Sequence, residues 1–152
     1  MGIEMKLKNK IESKCPGLAT DIIIEYNNCT TKGIVLIERK YQPYGIAIPG
    51  GFVESGNSVE KNAIREAKEE TGLDIEIKYL LGVYSEPDRD PRRHMVSVVY
   101  VASGSGILKA ADDAKEAYVV PEKRLEEMIE KNSFAFDHAK IIGDYLKRKK
   151  GM

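Results

Sequence analysis

The sequence predicts an α/β fold in which helices cover both faces of a mixed sheet. Short β-branched apolar runs dominate the first hundred residues, one segment with strong helix signals interrupts them, and helical spacing of apolar residues fills the C-terminal third. This order differs from regular βαβ alternation, which favours a mixed sheet. The 152 residues contain no stretch of linker composition, so we expect a single domain over residues 1–152.

The first two strands are predicted to form a hairpin. Residues 21–26 and 33–38 are β-branched and apolar, and the polar residues 27–32 between them are typical of a turn. Residues 46–53 contain Pro49 and two adjacent glycines, which suit a tight loop that leads into a short extended piece.

The segment that follows predicts a helix over about residues 58–71. We expect Asn57 to cap its N-terminus, with Glu60 three residues on in the place of a capping-box acid. Gly72 supplies the left-handed residue that ends a helix.

Beyond this helix the pattern predicts three strands and two helices. Residues 86–94, which separate the first two of these strands, are polar, rich in charge and twice interrupted by proline, so we expect an exposed loop. The predicted strands and helices are, in order, residues 74–85, 95–102, 117–120, 124–131 and 137–149.

Composition excludes several classes of protein. The 24 basic residues balance the 24 acidic ones. The molecule as a whole therefore has no positive electrostatic field that would attract nucleic acid, and we do not expect nucleic acid as a partner. The two cysteines, Cys15 and Cys29, lack the spacing of a zinc site or a disulfide framework and fit a reducing compartment. No apolar run approaches the roughly 18 residues of a membrane helix, and the first ten residues mix charges, unlike a signal peptide. We expect a cytoplasmic protein without a membrane partner.

Three glutamates share one arc of the predicted helix. Glu66 and Glu70 are one turn apart and Glu69 lies beside them, within about 100° at helical geometry. The neighbouring face, which we expect to pack on the sheet, carries Ala63, Ile64 and Ala67. An oxygen-only cluster suits a hard cation, Mg²⁺ above all, which bridges carboxylates to substrate phosphates. The cluster therefore predicts diphosphate chemistry.

The segment from Gly51 to Leu73 resembles the Nudix box, G-x5-E-x7-R-E-U-x-E-E-x-G-U, in which U is aliphatic. The matching positions are Gly51, Arg65, Glu66, Glu69, Glu70, Gly72 and Leu73, with Ala67 a small residue at one U position. Without the aliphatic positions Leu73 and Ala67, six fixed identities remain, and six at fixed spacing arise by chance with a probability on the order of 10⁻⁷ per start point. Asn57 stands where the box has a glutamate that usually orients the box arginine.

The resemblance implies a Nudix-type α/β/α sandwich with a loop-helix-loop catalytic motif. It implies hydrolysis assisted by Mg²⁺, with Mn²⁺ as a substitute, in which a carboxylate takes the proton of the attacking water. Glu69 and Glu116 are the candidates for that base, and Arg65 is expected to position the glutamates. The metal ligands that the resemblance implies are Glu66, Glu69, Glu70 and Gly50, and its structural box positions are Gly51, Asn57 and Gly72.

Further features are similar to the ADP-ribose pyrophosphatase branch of this family. Pro87 lies fifteen residues after Gly72, and an acidic stretch, residues 110–117, precedes a late strand. This likeness implies cleavage of ADP-ribose into AMP and ribose 5-phosphate. Aromatic and basic residues of the loops are the expected contacts for the base, the ribose and the phosphates: Tyr41, Tyr44, Phe52, Arg89, Arg92 and Arg93.

Several alternatives stay open. A pyrophosphatase that removes damaged nucleoside triphosphates shares the same box, and a nucleotide-binding regulator without catalysis is raised by Asn57 alone. The three preserved glutamates argue against such a regulator. Asp112 and Asp113 suit a turn as well as a site. The expected partner is a small nucleotide; a homodimer, common in this branch, stays open.

Overall fold

A computed structural model describes Ile3, residues 15–110 and residues 114–151. Residues 15–110 and 114–151 contain seven strands and three helices. The strands are β1 (Gly17–Asn27), β2 (Lys32–Arg39), β3 (Ile46–Ala47), β4 (Gly50–Phe52), β5 (Asp74–Tyr84), β6 (Met95–Ser105) and β7 (Ala114–Val120), and the helices are α1 (Val59–Thr71), α2 (Glu122–Glu130) and α3 (His138–Gly151). Asp112 and Asp113 lie outside the described residues, as do residues 4–14.

The strands form one mixed sheet in the order β3-β2-β1-β6-β5, with β4 paired to β1 and β7 paired to β2. β1 and β6 run parallel, whereas the other pairs are antiparallel. The predicted hairpin is confirmed, since Tyr26 of β1 faces Gly33 of β2 across the turn. The predicted mixed sheet is also confirmed, since the sheet contains both a parallel pair and antiparallel pairs.

Helices cover both faces of this sheet because β1 buries its two sets of side chains on opposite sides. Ile22 and Ile24 pack in one apolar cluster with Ala63 and Ala67 of α1, while Ile23 belongs to the cluster on the other side. Each fully buried aliphatic side chain contributes about 1.5–3 kcal/mol. The second cluster takes its helical residues from α2 and α3: Leu125, Met128, Ile141, Ile142, Tyr145 and Leu146.

The expectation that Ile64 packs on the sheet is wrong, because its side chain is 45% exposed. Each residue of a helix is rotated by about 100° from the one before it, which turns Ile64 away from the face that Ala63 and Ala67 share. The two alanines have no exposed surface. The small side chains of these alanines therefore let the helix pack closely on the sheet.

The N-cap of α1 is Ser58, so the expected cap at Asn57 is wrong. The Ser58 hydroxyl accepts a hydrogen bond from the Lys61 N–H at 3.1 Å. Asn57 instead donates its backbone N–H to the Glu54 carbonyl in the preceding turn. Glu60 is not a capping-box acid either, since its carboxylate accepts the Tyr100 hydroxyl at 3.1 Å. The helix ends as predicted, at Gly72 with a φ of +73°.

Residues 86–94 form the predicted loop between β5 and β6, but the expectation that the whole loop is exposed is wrong. Arg89 and Asp90 are 8% and 5% exposed. Their charges are buried because each has a partner within the fold, Asp137 for Arg89 and Arg92 for Asp90. In the described part of the chain, no helix has the length and apolarity needed to cross a membrane.

Candidate active site

Two glycines bring strand β4 against helix α1. Gly50 and Gly51 pair with Asp21 and Thr20 of β1. A Cβ atom on Gly50 would collide with the Asp21 carboxylate, and one on Gly51 would collide with the Glu66 carboxylate. The close approach of backbone to carboxylates therefore requires both glycines.

Beside these glycines lies a cleft of about 470 Å³. One side of the cleft, which we call the acidic wall, consists of Glu66, Glu69 and Glu70 of α1. Two of the three carboxylates differ strongly in burial, because Glu70 is 5% exposed whereas the Glu69 side chain is 42% exposed. The cleft is lined by Arg39, Tyr41, Gln42, Gly50, Gly51, Phe52, Glu54, Arg65, Glu66, Glu69, Glu70 and Arg92.

Glu70 is the innermost carboxylate of the acidic wall. Its Oε2 accepts the Gly50 N–H at 3.1 Å. Burial raises the pKa of Glu70 to about 8; the Gly50 hydrogen bond opposes this rise, and the neighbouring Glu66 and Asp21 carboxylates reinforce it. A negative charge here is costly unless a cation compensates it.

Arg65 connects the other two glutamates of the acidic wall. Its Nη1 lies 2.8 Å from Glu69 Oε2, and its Nη2 lies 3.0 Å from Glu66 Oε1. Nη1 is also 3.6 Å from Glu54 Oε1. These contacts are those expected of a residue that positions the glutamates by charge-assisted hydrogen bonds.

The acidic wall can be tested for its fit to a metal ion. Among the described residues, no group of three or more His, Cys, Asp or Glu side chains is arranged to hold one. Arg65 contacts Glu66 and Glu69, and the Gly50 N–H contacts Glu70. The donor set nevertheless consists of oxygens alone, and its buried carboxylate lies among like charges. Both properties suit a hard divalent cation, so the residues fit such an ion.

The other side of the cleft carries cations and aromatic rings. Its residues, which we call the arginine wall, are Arg39, Arg92 and Phe52, which line the cleft, and Phe136, which lines an adjoining pocket and packs against both arginines. The Arg92 guanidinium carbon lies 5.1 Å from the Phe52 ring centroid and 5.4 Å from that of Phe136. The Arg39 guanidinium carbon lies 4.8 Å from the Phe136 ring. Both arginines therefore stack on aromatic faces, as cations do in cation–π contacts.

The two arginines differ in how they are held. Arg92 donates from Nε and Nη2 to both oxygens of the buried Asp90, at 3.0 and 2.8 Å. Arg39 donates from Nε to the Pro43 carbonyl at 2.7 Å and makes no ion pair with a carboxylate in the described part of the chain. Burial, followed by the neighbouring Arg92 charge, lowers the pKa of Arg39. Arg39 thus offers a positive charge to an anionic ligand.

A buried polar network, which we call the floor, lies at a pocket that adjoins the cleft and shares Arg39, Gly50 and Arg92 with it. The Ser97 hydroxyl donates to Asp21, and His138 Nδ1 accepts the Ile48 N–H at 3.1 Å. Burial raises the pKa of Asp21 to about 6, against the opposing effects of Ser97 and Arg89, and burial lowers the pKa of His138 to about 3. The imidazole is therefore neutral, with its proton on Nε2, which lies 3.7 Å from Asp21.

The structure brings most of the predicted site residues together and places four elsewhere. Tyr44 is 66% exposed and Arg93 donates to the Cys15 carbonyl, and neither lines the cleft. Arg89 lies in the floor, where its guanidinium makes two hydrogen bonds to Asp137. Glu116 is exposed on β7, opposite Glu38, and is not among the cleft-lining residues.

Sequence reasoning missed Arg39, Phe136, Asn62 and the floor. Arg39 ends an apolar strand and Phe136 lies in the turn before α3, so neither belongs to a local motif. Asn62 did carry a signal, because it is a polar residue next to the alanines on the buried face of α1.

Comparisons with known proteins agree with this fold. The NUDIX domain model matches residues 17–144. The chain is 50% identical, over 139 residues, to a protein named ADP-ribose pyrophosphatase from Methanocaldococcus jannaschii, which covers 90% of this chain and 76% of that protein. Among solved structures, the NUDIX domain of Shewanella oneidensis NrtR in complex with ADP ribose is 23% identical with a TM-score of 0.75, over 89% of both chains.

A second solved structure is a bifunctional NMN adenylyltransferase/ADP ribose pyrophosphatase from Francisella tularensis, complexed with AMP and a Mn ion. It is 24% identical with a TM-score of 0.78, and the match covers 95% of this chain and 45% of that one. The present chain therefore spans less than half of that protein. At this identity the likeness shows the fold, whereas the domain model and the M. jannaschii relative show the family. The chain belongs to the Nudix hydrolases.

Proposed function

We propose that this protein hydrolyses the diphosphate of ADP-ribose to give AMP and ribose 5-phosphate, with Mg²⁺ as the ion and Mn²⁺ as a substitute. The observation that carries the proposal is the opposition of the acidic wall and the arginine wall across one cleft. Nudix hydrolases depend on divalent metal, and the relative with 50% identity is named for this substrate.

The acidic wall would hold the metal. When bound, a divalent cation neutralises the diphosphate and lowers the pKa of an attacking water. Of the two candidate bases, Glu69 lines the cleft and is partly exposed, whereas Glu116 lies outside the lining residues. This placement favours Glu69 as the group that takes the proton of the water. The proposed ligands are Glu66, Glu69, Glu70 and Gly50.

The arginine wall would bind the substrate itself. Arg39 and Arg92 offer guanidinium donors to the phosphate oxygens, and Asp90 fixes the orientation of Arg92 in advance. The rings of Phe52 and Phe136, which now face these cations, present flat apolar surfaces on which a purine can stack. A nucleoside diphosphate carries both the charges and the ring that this wall accommodates.

Product analysis on a substrate panel tests the proposal. The panel contains ADP-ribose, other nucleoside diphosphate sugars, dinucleoside polyphosphates and oxidised dGTP, each with Mg²⁺ and with a chelator as control. We expect AMP to be released fastest from ADP-ribose, and only with the metal. Faster cleavage of the triphosphate would reassign the substrate, and binding of nucleotides without any cleavage would indicate a regulator.

A further inference from the structure

The Asn62 side chain has no exposed surface, and both its amide oxygen and its amide nitrogen make hydrogen bonds. Its Oδ1 accepts from Arg65 Nη2 at 2.7 Å, while its Nδ2 donates to Thr20 Oγ1 at 2.9 Å and, less closely, to the Gly51 carbonyl at 3.4 Å. The orientation of the amide follows from chemistry, because a guanidinium has donors only and must face the oxygen. Asn62 therefore connects helix α1, strand β1 and the Gly50–Gly51 segment of strand β4, which we call the glycine loop, at one point.

Arg65 has few other fixed partners. Its Nε is buried and has no hydrogen-bond partner among the described residues, and its contact with the Phe52 carbonyl is long, at 3.5 Å. Its remaining contacts are to the carboxylates of Glu54, Glu66 and Glu69, which are themselves side chains with several rotatable bonds. A guanidinium held only by such groups would move with them.

Asn62 differs from those carboxylates because both of its ends are fixed. Its backbone belongs to α1, and its Nδ2 is tied to the buried hydroxyl of Thr20. Asn57, at the box position that normally carries a glutamate, makes no side-chain hydrogen bond to Arg65 in the described part of the chain, and it is exposed in the turn before the helix. Among the described contacts of Arg65, the Asn62 amide is thus both fixed at its two ends and close, at 2.7 Å, whereas the Phe52 carbonyl lies at 3.5 Å.

We propose that Asn62 is a positioning residue for the catalytic cleft. Through Arg65 it fixes the places of Glu66 and Glu69 relative to the glycine loop, which compensates for the absence of a glutamate at position 57. The expected effect on kcat rests on the proposed function, but the effect on the positions of Glu66 and Glu69 does not. Partners that orient metal ligands from outside typically change metal affinity by about 10–100-fold when they are removed.

Manganese binding tests the proposal independently of any substrate. Asn62→Leu keeps the number and branching of the side-chain heavy atoms and removes both ends of the bridge, so we expect its Mn²⁺ affinity, measured by electron paramagnetic resonance of the free ion, to fall about tenfold or more. Thr71→Val is the matched control, because Thr71 is equally buried in α1 and, among the described residues, its hydroxyl bonds only to Ala67 and Leu73. We expect the control to lower Tm while leaving the Mn²⁺ affinity unchanged.

A conservative variant keeps the test decisive if Asn62→Leu folds poorly. Asn62→Asp retains an oxygen that faces Arg65, so we expect its Mn²⁺ affinity to stay within about threefold of the wild type. Equal affinities in Asn62→Leu and wild type, or a loss in Asn62→Asp as large as in Asn62→Leu, would overturn the proposal. With ADP-ribose, kcat should fall more than KM changes in Asn62→Leu. A wild type that binds Mn²⁺ but leaves ADP-ribose intact would contradict only the proposed function.

Discussion

The two walls of the cleft are built in opposite ways. The acidic wall comes from five consecutive residues of one helix, so a single turn of α1 places all three carboxylates. The arginine wall comes from four separate places in the chain: the end of β2, strand β4, the loop before β6 and the turn before α3. Helical periodicity determines the first wall, whereas the order of strands in the sheet determines the second.

The walls also differ in how their charges are balanced. On the acidic side one cation, Arg65, lies between Glu66 and Glu69, and Glu70 is left with a backbone N–H. On the arginine side one carboxylate, Asp90, engages Arg92, and Arg39 has a carbonyl as its partner. Each wall therefore carries an excess of one sign that a charged ligand can balance, a divalent cation on one side and a diphosphate on the other.

The largest effect is expected from the acidic wall. Glu70→Gln should lower kcat for ADP-ribose by about a thousandfold, because it removes the innermost carboxylate, while the amide oxygen still accepts the Gly50 N–H and preserves the fold. Initial rates of AMP release and the thermal midpoint of each protein provide the measurement.

Glu60→Gln is the matched control for this variant, since Glu60 lies on the same helix, contacts Tyr100 and does not line the cleft. Its kcat should stay close to that of the wild type. If both substitutions lower kcat equally, the acidic wall has no special role in the chemistry.

The second prediction concerns Asp21 in the floor and the pH dependence of the free energy of unfolding. Asp21 has a pKa of about 6 in the folded protein and 3.8 as its ordinary value, so the folded state binds the proton more tightly, and the stability this supplies is present below pH 4 and lost as pH rises through 6. Asp21→Asn removes this dependence. The free energy of unfolding of the variant should therefore improve relative to wild type by about 3 kcal/mol between pH 4 and pH 8.

Denaturant unfolding of both proteins without metal, at several pH values, measures this difference. The opposite trend, in which Asp21→Asn becomes less favourable as pH rises, would mean that Arg89, 4.0 Å away, compensates the Asp21 charge more than burial penalises it. The charged form of Asp21 would then be stabilised by a neighbouring arginine, as Asp90 is by Arg92.

The third prediction contrasts Arg39 of the arginine wall with Arg93, which lies in the loop before β6 and outside the cleft. Arg39→Met should raise KM for ADP-ribose by about thirtyfold, because a charge-assisted hydrogen bond to a phosphate oxygen is worth about 1.5–3 kcal/mol. Arg93→Met is the control, since Arg93 contacts the Cys15 carbonyl outside the cleft. An increase in KM for Arg93→Met, with none for Arg39→Met, would restore the expectation from the sequence and refute this assignment.

The same contrast explains how far the sequence could predict the molecule. Helix α1 with its glutamates, its stop at Gly72 and the glycines before it followed from local spacing. The cap was misplaced by one residue, because Ser58 also has a side-chain acceptor. The expected roles of Glu60 and Ile64 were wrong, because both depend on where the helix lies against the sheet. Arg39 and Phe136 could not be predicted, since their proximity depends on long-range packing. The metal ligands, the domain limits of 1–152, a homodimer and the cytoplasmic location stay predictions.

The parallel pairing of β1 with β6 sets a condition on how the chain folds during synthesis. β1 lies in register with β6 from Gly17 opposite Met95 to Glu25 opposite Ser103. At ribosomal rates of about 5–20 residues per second, the edge of the apolar β1–β2 hairpin that pairs with β6 stays unpaired for roughly 3–13 s between the synthesis of β2 and that of β6. An open apolar edge of this kind is a template for aggregation. The strand that carries Asp21 is therefore also a segment whose open edge favours aggregation until β6 has been synthesised.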